Sequence, residues 1–142
     1  MIDKTFVETK LFYIQSYFTE LEKILNYSNQ EIKKDFLKLR ALERVLQLIV
    51  DEIVDINNHI IRYSNFRVPE NFQSSFMVLA ENNILPRTFV MKIAPIVGLR
   101  NRLVHRYEKV DVDVLLSAVR KDKEDIKRYV KYIFEFLQQN SD

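Results

Sequence analysis

Residues 32–63 read IKKDFLKLRALERVLQLIVDEIVDINNHIIRY, and the architecture of the chain follows from them. Apolar residues recur three or four positions apart through this segment, which is the period of one face of an α-helix. They are Ile32, Phe36, Leu39, Leu42, Leu46, Ile49, Ile53, Ile56, Ile60 and Tyr63. Ser28 and Glu31 form a capping-box pattern just before it. The sequence therefore predicts one continuous helix over 29–62, roughly 50 Å long at 1.5 Å per residue.

Segments on both sides carry the same period. The first predicted helix runs from about Lys4 to Asn26, and a short polar link to the long helix requires the two to pack antiparallel. The last starts at Asp111 or Asp113 and runs to about Gln139. The buried faces of these two helices are predicted to consist of Val7, Leu11, Ile14, Phe18, Leu21 and Leu25, and of Val112, Leu115, Val119, Ile126, Val130, Ile133 and Leu137.

The segment between them is less regular. Phe72, Phe76 and Leu79 predict a short third helix, and Pro86 suits the first turn of a fourth. Pro95 lies inside that fourth helix, where it removes a hydrogen bond and clashes with the carbonyl of Met91. We expect a kink there, or two shorter helices.

Composition fits one all-α domain over residues 1–142. The chain has one glycine, three prolines and no cysteine, and its net charge of +2 is too small to indicate nucleic acid binding by itself. It has neither an apolar run of the ~18 residues that a membrane span needs nor a signal-peptide pattern. We expect a cytoplasmic protein that does not enter membranes.

Residues 98–107, GLRNRLVHRY, concentrate the reactive side chains. Histidine titrates near neutral pH and can move a proton to or from a ribose or leaving oxygen. Arg100 and Arg102 offer planar donors to phosphate, Asn101 adds a neutral donor or orients the histidine, and Tyr107 can stack on a base. This chemistry needs neither metal nor cofactor. The alternative is that these residues have no catalytic role and are solvated charges near a helix end.

Geometry constrains how Arg100 and His105 could cooperate. Five residues apart on a continuous helix, they point about 140° away from each other. If both act on one substrate, either the helix ends between them or a second copy of the chain supplies one of them.

Asp55 and His59 raise a second question, because they lie four residues apart among the isoleucines near the end of the long helix. They belong to a solvated face or line a polar cleft or interface.

The order Arg100, four residues, His105, one residue, Tyr107 resembles the Arg-x4-His-x-Tyr motif of HepT-like proteins, a branch of the HEPN ribonucleases. The flanking residues 97–107, the segments 39–44 and 55–61 and the pair Leu85–Pro86 are also similar to that family. The resemblance implies a five-helix, up-and-down bundle that forms a homodimer, with two motif copies facing each other across a cleft.

The resemblance also implies a metal-independent endoribonuclease that acts as the toxin of a toxin–antitoxin pair. Its partners would be RNA and a small MntA-like nucleotidyltransferase antitoxin that transfers AMP to Tyr107. Arg100 and His105 would be catalytic, with Asn101, Arg102 and Tyr107 supporting them. Two alternatives remain at this point: a non-catalytic subunit that binds a substrate or nucleotide for a two-component nucleotidyltransferase, and a helical dimerisation protein without a ligand.

Overall fold

A computed structural model describes residues 1–105 and 110–140 of the chain, and all regular structure in these two ranges is helical. Seven helices follow one another in the described ranges. They are α1 (Lys4–Leu25), α2 (Asn29–Lys34), α3 (Phe36–Tyr63), α4 (Ser75–Glu81), α5 (Arg87–Ile93), α6 (Pro95–Val104) and α7 (Val112–Gln139). The predicted all-α bundle is confirmed, with two of its five predicted helices each interrupted once.

The first interruption is at Asp35, where a continuous helix was expected. Its backbone is extended, with φ −113° and ψ 103°, and its side chain accepts a hydrogen bond from the backbone N–H of Leu37. An aspartate that caps a helix in this way competes with the helical conformation of its own backbone. As a result α2 ends and α3 begins, and Phe36, which the apolar pattern placed in the core, is 69% exposed.

The second interruption is at Pro95, where a kink or two shorter helices were expected. The structure has two helices, with Ala94 between α5 and α6 and Pro95 at the first position of α6. Proline is well suited to that position, because the missing N–H would be unpaired there anyway. The break lets α6 leave the direction of α5 and pack against α3.

The predicted antiparallel packing of α1 and α3 is confirmed at both the apolar seam and the polar contacts. All six predicted core residues of α1 are buried. The backbone N–H of Asp3, at the start of α1, donates to Nε2 of His59 near the end of α3, and Lys10 Nζ lies 3.0 Å from Asp55 Oδ2.

Helix α7 packs antiparallel to α1. Near its start, the Arg120 guanidinium donates to the carbonyl oxygens of Leu25 and Tyr27 and to the side chain of Asn29, just beyond the end of α1. These bonds satisfy carbonyl groups that the end of a helix leaves without intrahelical partners.

A buried polar network joins three helices in the core. Asn57 of α3 is fully buried, accepts a hydrogen bond from the Tyr129 hydroxyl, and donates from Nδ2 to Ser75 Oγ over 3.0 Å. Ser75 Oγ in turn donates to the carbonyl oxygen of Phe72 over 2.6 Å. The network therefore fixes the loop before α4 to the centre of the bundle.

Across the two described ranges, no helix has the length and apolar character needed to cross a membrane.

Candidate active site

Helices α6 and α3 run side by side and leave a cleft between them. The two helices pack against each other, and the contact between Arg100 and Asp51 joins them. The cleft has a volume of about 340 Å³, and we call it the α3–α6 cleft. Its walls consist of Asp51, Val54, Asp55, Phe72, Val97, Arg100 and Asn101.

The Arg100 guanidinium is held from two directions. Its Nε donates to Asp51 Oδ1 over 2.8 Å, and its Nη1 donates to Asn101 Oδ1 over 3.1 Å. A guanidinium carries five N–H donors in one plane. Residues of the described ranges engage two of these donors, one on Nε and one on Nη1.

Partial burial strengthens this arrangement. The Arg100 side chain is 24% exposed and that of Asp51 is 37% exposed, so the pair is neither fully solvated nor removed from water. The guanidinium is thus oriented before any ligand arrives, which lowers the cost of ordering it upon binding.

His105 ends α6. It is the C-terminal cap, with φ −86° and ψ 89°, and its backbone N–H donates to the carbonyl oxygen of Asn101 over 3.0 Å. The helix therefore ends between Arg100 and His105, which is one of the two arrangements that the angular argument required. The His105 side chain is exposed, as is that of Arg102. Tyr107 lies outside the described residues.

Asp55 and His59 have different surroundings. Asp55 is exposed and lines the α3–α6 cleft, with its Oδ2 held by Lys10. His59 stacks on the ring of Phe6, with ring centroids 4.5 Å apart, and accepts the hydrogen bond from Asp3. The structure therefore places His59 at the junction of α1 and α3, whereas Asp55 faces the cleft.

The surroundings of His59 disfavour its charged form. Burial lowers the pKa of the imidazole below its usual value, and the nearby positive N-terminus acts in the same direction, whereas Asp3 opposes them. Since Nε2 accepts a backbone hydrogen bond, it carries no proton in this arrangement.

Two residues of the cleft were not singled out by the sequence. Asp51 was only one of several polar residues near the end of the long helix, and Phe72 was assigned to the core of a short helix. The structure puts Phe72 in the loop before α4, where 52% of it is exposed. The one available signal was the spacing of Asp51 and Asp55, which places both carboxylates on the same face of α3.

Within residues 1–105 and 110–140, no three His, Asp or Glu side chains are grouped so that they could hold a metal ion.

Comparison with known proteins agrees with this architecture. A tRNA nuclease HepT of Aphanizomenon flos-aquae is 34% identical over 137 residues, which cover 96% of this chain and 92% of that protein. An mRNA nuclease HepT of Shewanella oneidensis is 30% identical over 103 residues, which cover 72% of this chain and 77% of that protein.

A solved structure shows the same fold. It is described as a tri-AMPylated Shewanella oneidensis HEPN toxin in complex with MNT antitoxin. It is 26% identical in sequence with a TM-score of 0.85, and the match covers 95% of this chain and 99% of that one. The model of the family described as "Ribonuclease HepT-like" matches residues 14–133. The chain, with its Arg100–Asn101 pair on a helix that ends at His105, therefore belongs to the HepT-like ribonucleases.

Proposed function

We propose that the chain is an endoribonuclease that acts as the toxin of a toxin–antitoxin pair, with a composite active site between two copies of the chain. The observation that carries the proposal is the placement of Arg100: its guanidinium is fixed by Asp51 and Asn101 in a cleft, on a helix that ends at His105.

The chemistry is a transesterification of the RNA backbone. A histidine takes the proton of a ribose 2′-hydroxyl, the 2′-oxygen bonds to the adjacent phosphorus, and the 5′-oxygen leaves with a proton from solvent. Arg100 stabilises the additional negative charge on the phosphoryl oxygens as the bond forms. Asn101 and Arg102 support the binding of the phosphate. We propose that no metal takes part, because these groups supply both proton transfer and charge stabilisation.

A homodimer supplies each site with a histidine from the second copy of the chain. One chain carries only two histidines, and His59 is engaged between α1 and α3. A two-fold axis through the exposed end of α6 would bring the His105 of each copy to the cleft of the other, where it takes the proton of the 2′-hydroxyl. Each site would then combine Arg100 of one protomer with His105 of the other.

The partner is proposed to be a small MntA-like nucleotidyltransferase that acts as antitoxin. The structure of the Shewanella toxin, which is AMPylated and bound to an MNT antitoxin, supports this assignment. We propose Tyr107 as the acceptor: its oxygen bonds to the α-phosphorus of ATP, pyrophosphate leaves, and the phenolic proton is released. Tyr107 follows His105 by two residues, so its bulky and negatively charged adenylyl group would exclude RNA from the site.

The test is RNA cleavage by unmodified protein in the presence of EDTA. His105→Ala is expected to lower the rate about 10²–10⁴-fold and Arg100→Ala about 10²–10³-fold, because one removes proton transfer and the other charge stabilisation. Arg128→Ala, which removes an exposed arginine of α7, is the matched control and should leave the rate unchanged.

Two outcomes would contradict the proposal. If the unmodified wild-type protein cuts no RNA, the assignment as a nuclease toxin is wrong, and reversible nucleotide binding without cleavage would instead indicate a binding subunit. If cleavage stops in EDTA and returns with a divalent cation, the metal-independent mechanism is wrong. The mass of the protein after incubation with its partner and ATP tests Tyr107, since Tyr107→Phe should abolish the added adenylyl groups.

A further inference from the structure

The α3–α6 cleft contains apolar side chains and carboxylates that a site for phosphate alone does not need. Val54, Val97 and the Phe72 ring give it an apolar wall, and Asp51 and Asp55 give it two carboxylates beside Arg100. Carboxylates repel phosphate, so Arg100 alone accounts for a phosphate there. A ligand that uses the rest of the cleft must have an apolar face and hydrogen-bond donors at its edge.

The Phe72 ring projects from a loop whose backbone is anchored. The carbonyl oxygen of Phe72 accepts from Ser75 Oγ, which in turn accepts from the buried amide of Asn57. Asn71 and Ser74 close the loop, because each backbone N–H donates to the other residue's side chain. The loop is therefore anchored at both ends of the aromatic residue while half of the ring stays accessible.

The two carboxylates each have one oxygen engaged. Asp51 Oδ1 accepts from Arg100, and Asp55 Oδ2 accepts from Lys10. Within the described ranges the second oxygen of each has no hydrogen bond, and both belong to residues that line the cleft. An ionised carboxylate can only accept, so the cleft edge selects donors such as amino groups.

We propose that the α3–α6 cleft is a nucleobase subsite, in which an unpaired RNA base stacks on Phe72 and donates its exocyclic amino group to Asp55. The proposal rests on the proposed function, since the base belongs to the nucleotide whose phosphate Arg100 binds. Single-stranded RNA is commonly read by aromatic stacking and by hydrogen bonds to the base edge. Cytosine, adenine and guanine carry an amino group, whereas uracil presents a carbonyl oxygen that a carboxylate repels.

The test that does not depend on catalysis is the binding of 3′-CMP and 3′-UMP to the wild-type dimer, followed by NMR. We expect 3′-CMP to bind at least about tenfold more tightly than 3′-UMP. The amino group of cytosine donates a charge-assisted hydrogen bond to Asp55, whereas the carbonyl oxygen of uracil is repelled by it. Asp55→Asn replaces one acceptor oxygen with an amide donor of the same shape, so it should reverse or abolish the preference.

Matched controls separate base reading from other effects. Lys10→Met removes the same ion pair as Asp55→Asn but keeps the carboxylate, so the preference for 3′-CMP should remain. Phe72→Ala should weaken both nucleotides about tenfold, because stacking is largely independent of the base. Phe12→Ala, which removes an exposed aromatic ring of α1, should change neither affinity.

The cleavage assay distinguishes failure of this proposal from failure of the proposed function. On a single-stranded RNA pool of random sequence, wild-type cleavage ends should disfavour uracil at one position next to the cut, and Asp55→Asn should remove that bias. Equal affinities for 3′-CMP and 3′-UMP would overturn the subsite even if the protein cuts RNA. Selective binding without cleavage would support the subsite and contradict the nuclease assignment.

Discussion

Asp51→Ala tests whether the α3–α6 cleft orients the Arg100 guanidinium before substrate binds. The substitution removes the acceptor that holds Arg100 Nε at 2.8 Å and leaves the weaker contact with Asn101 at 3.1 Å. The guanidinium then rotates more freely on its long side chain. A displacement of about 1 Å in a reacting group can lower a rate about 10²-fold, which corresponds to about 2.7 kcal/mol of activation free energy.

The same substitution should have little effect on the fold. The pair is partly exposed, with 24% and 37% of the two side chains accessible, and such ion pairs contribute at most about 1 kcal/mol to stability. We therefore expect kcat/KM for RNA cleavage to fall about 10²-fold while the free energy of unfolding changes by about 1 kcal/mol or less. Activity and urea denaturation measured on the same preparation separate the two effects.

Two variants complete this experiment. Asp51→Asn keeps an oxygen that can accept from Nε, so it should lose less than about tenfold in kcat/KM. Glu81→Ala removes the carboxylate that binds Arg67 in another partly exposed ion pair, and it should leave cleavage unchanged. Cleavage at the wild-type rate would contradict a role of Asp51 in orienting Arg100, and faster cleavage would show that Asp51 competes with RNA for the guanidinium.

Three further predictions concern the scaffold. Tyr129→Phe should lower the free energy of unfolding by about 1–3 kcal/mol in urea denaturation, because it leaves the buried Asn57 oxygen without its hydroxyl donor. Arg120→Met should lower it by about 1.5–3 kcal/mol, because three charge-assisted hydrogen bonds at the end of α1 are lost; an unchanged denaturation midpoint would contradict this. Burial lowers the pKa of His59, so the unfolded state binds its proton more readily and stability should fall as the pH drops through about 6.5. His59→Gln, which can still accept from the N–H of Asp3, should show a smaller loss between pH 7.5 and 5.5; equal losses would assign the effect to other groups.

The sequence predicted the helices correctly where a local signal, such as an apolar repeat, a capping box or a proline, determines the backbone conformation. The seam of α1 repeats without interruption, the capping box at Ser28 and Glu31 forms as expected, and Pro95 separates two helices. Asp35 was missed because the apolar period continues through Phe36, and only the extended backbone shows that aspartate caps a new helix there.

The cleft was less predictable, because its contacts join residues distant in sequence. Asp51 and Arg100 are 49 positions apart, and their pairing depends on how α6 docks after the break at Pro95. Asn57 could not be distinguished from the solvated residues around it, since its burial depends on Tyr129 of α7. Arg100 and His105 were proposed from their chemistry; the sequence left open whether the helix continues through His105, and the structure shows that α6 ends at Val104.

The central claim is that two facing copies of the chain combine Arg100 and His105 into one RNA-cleaving site, and complementation tests it most directly. Arg100→Ala and His105→Ala proteins, each inactive alone, are unfolded together, refolded and assayed for RNA cleavage. Random pairing makes half of the dimers mixed, and each mixed dimer has one intact site of two, so we expect about a quarter of wild-type activity. No recovery in a mixture shown to contain mixed dimers would contradict the composite site.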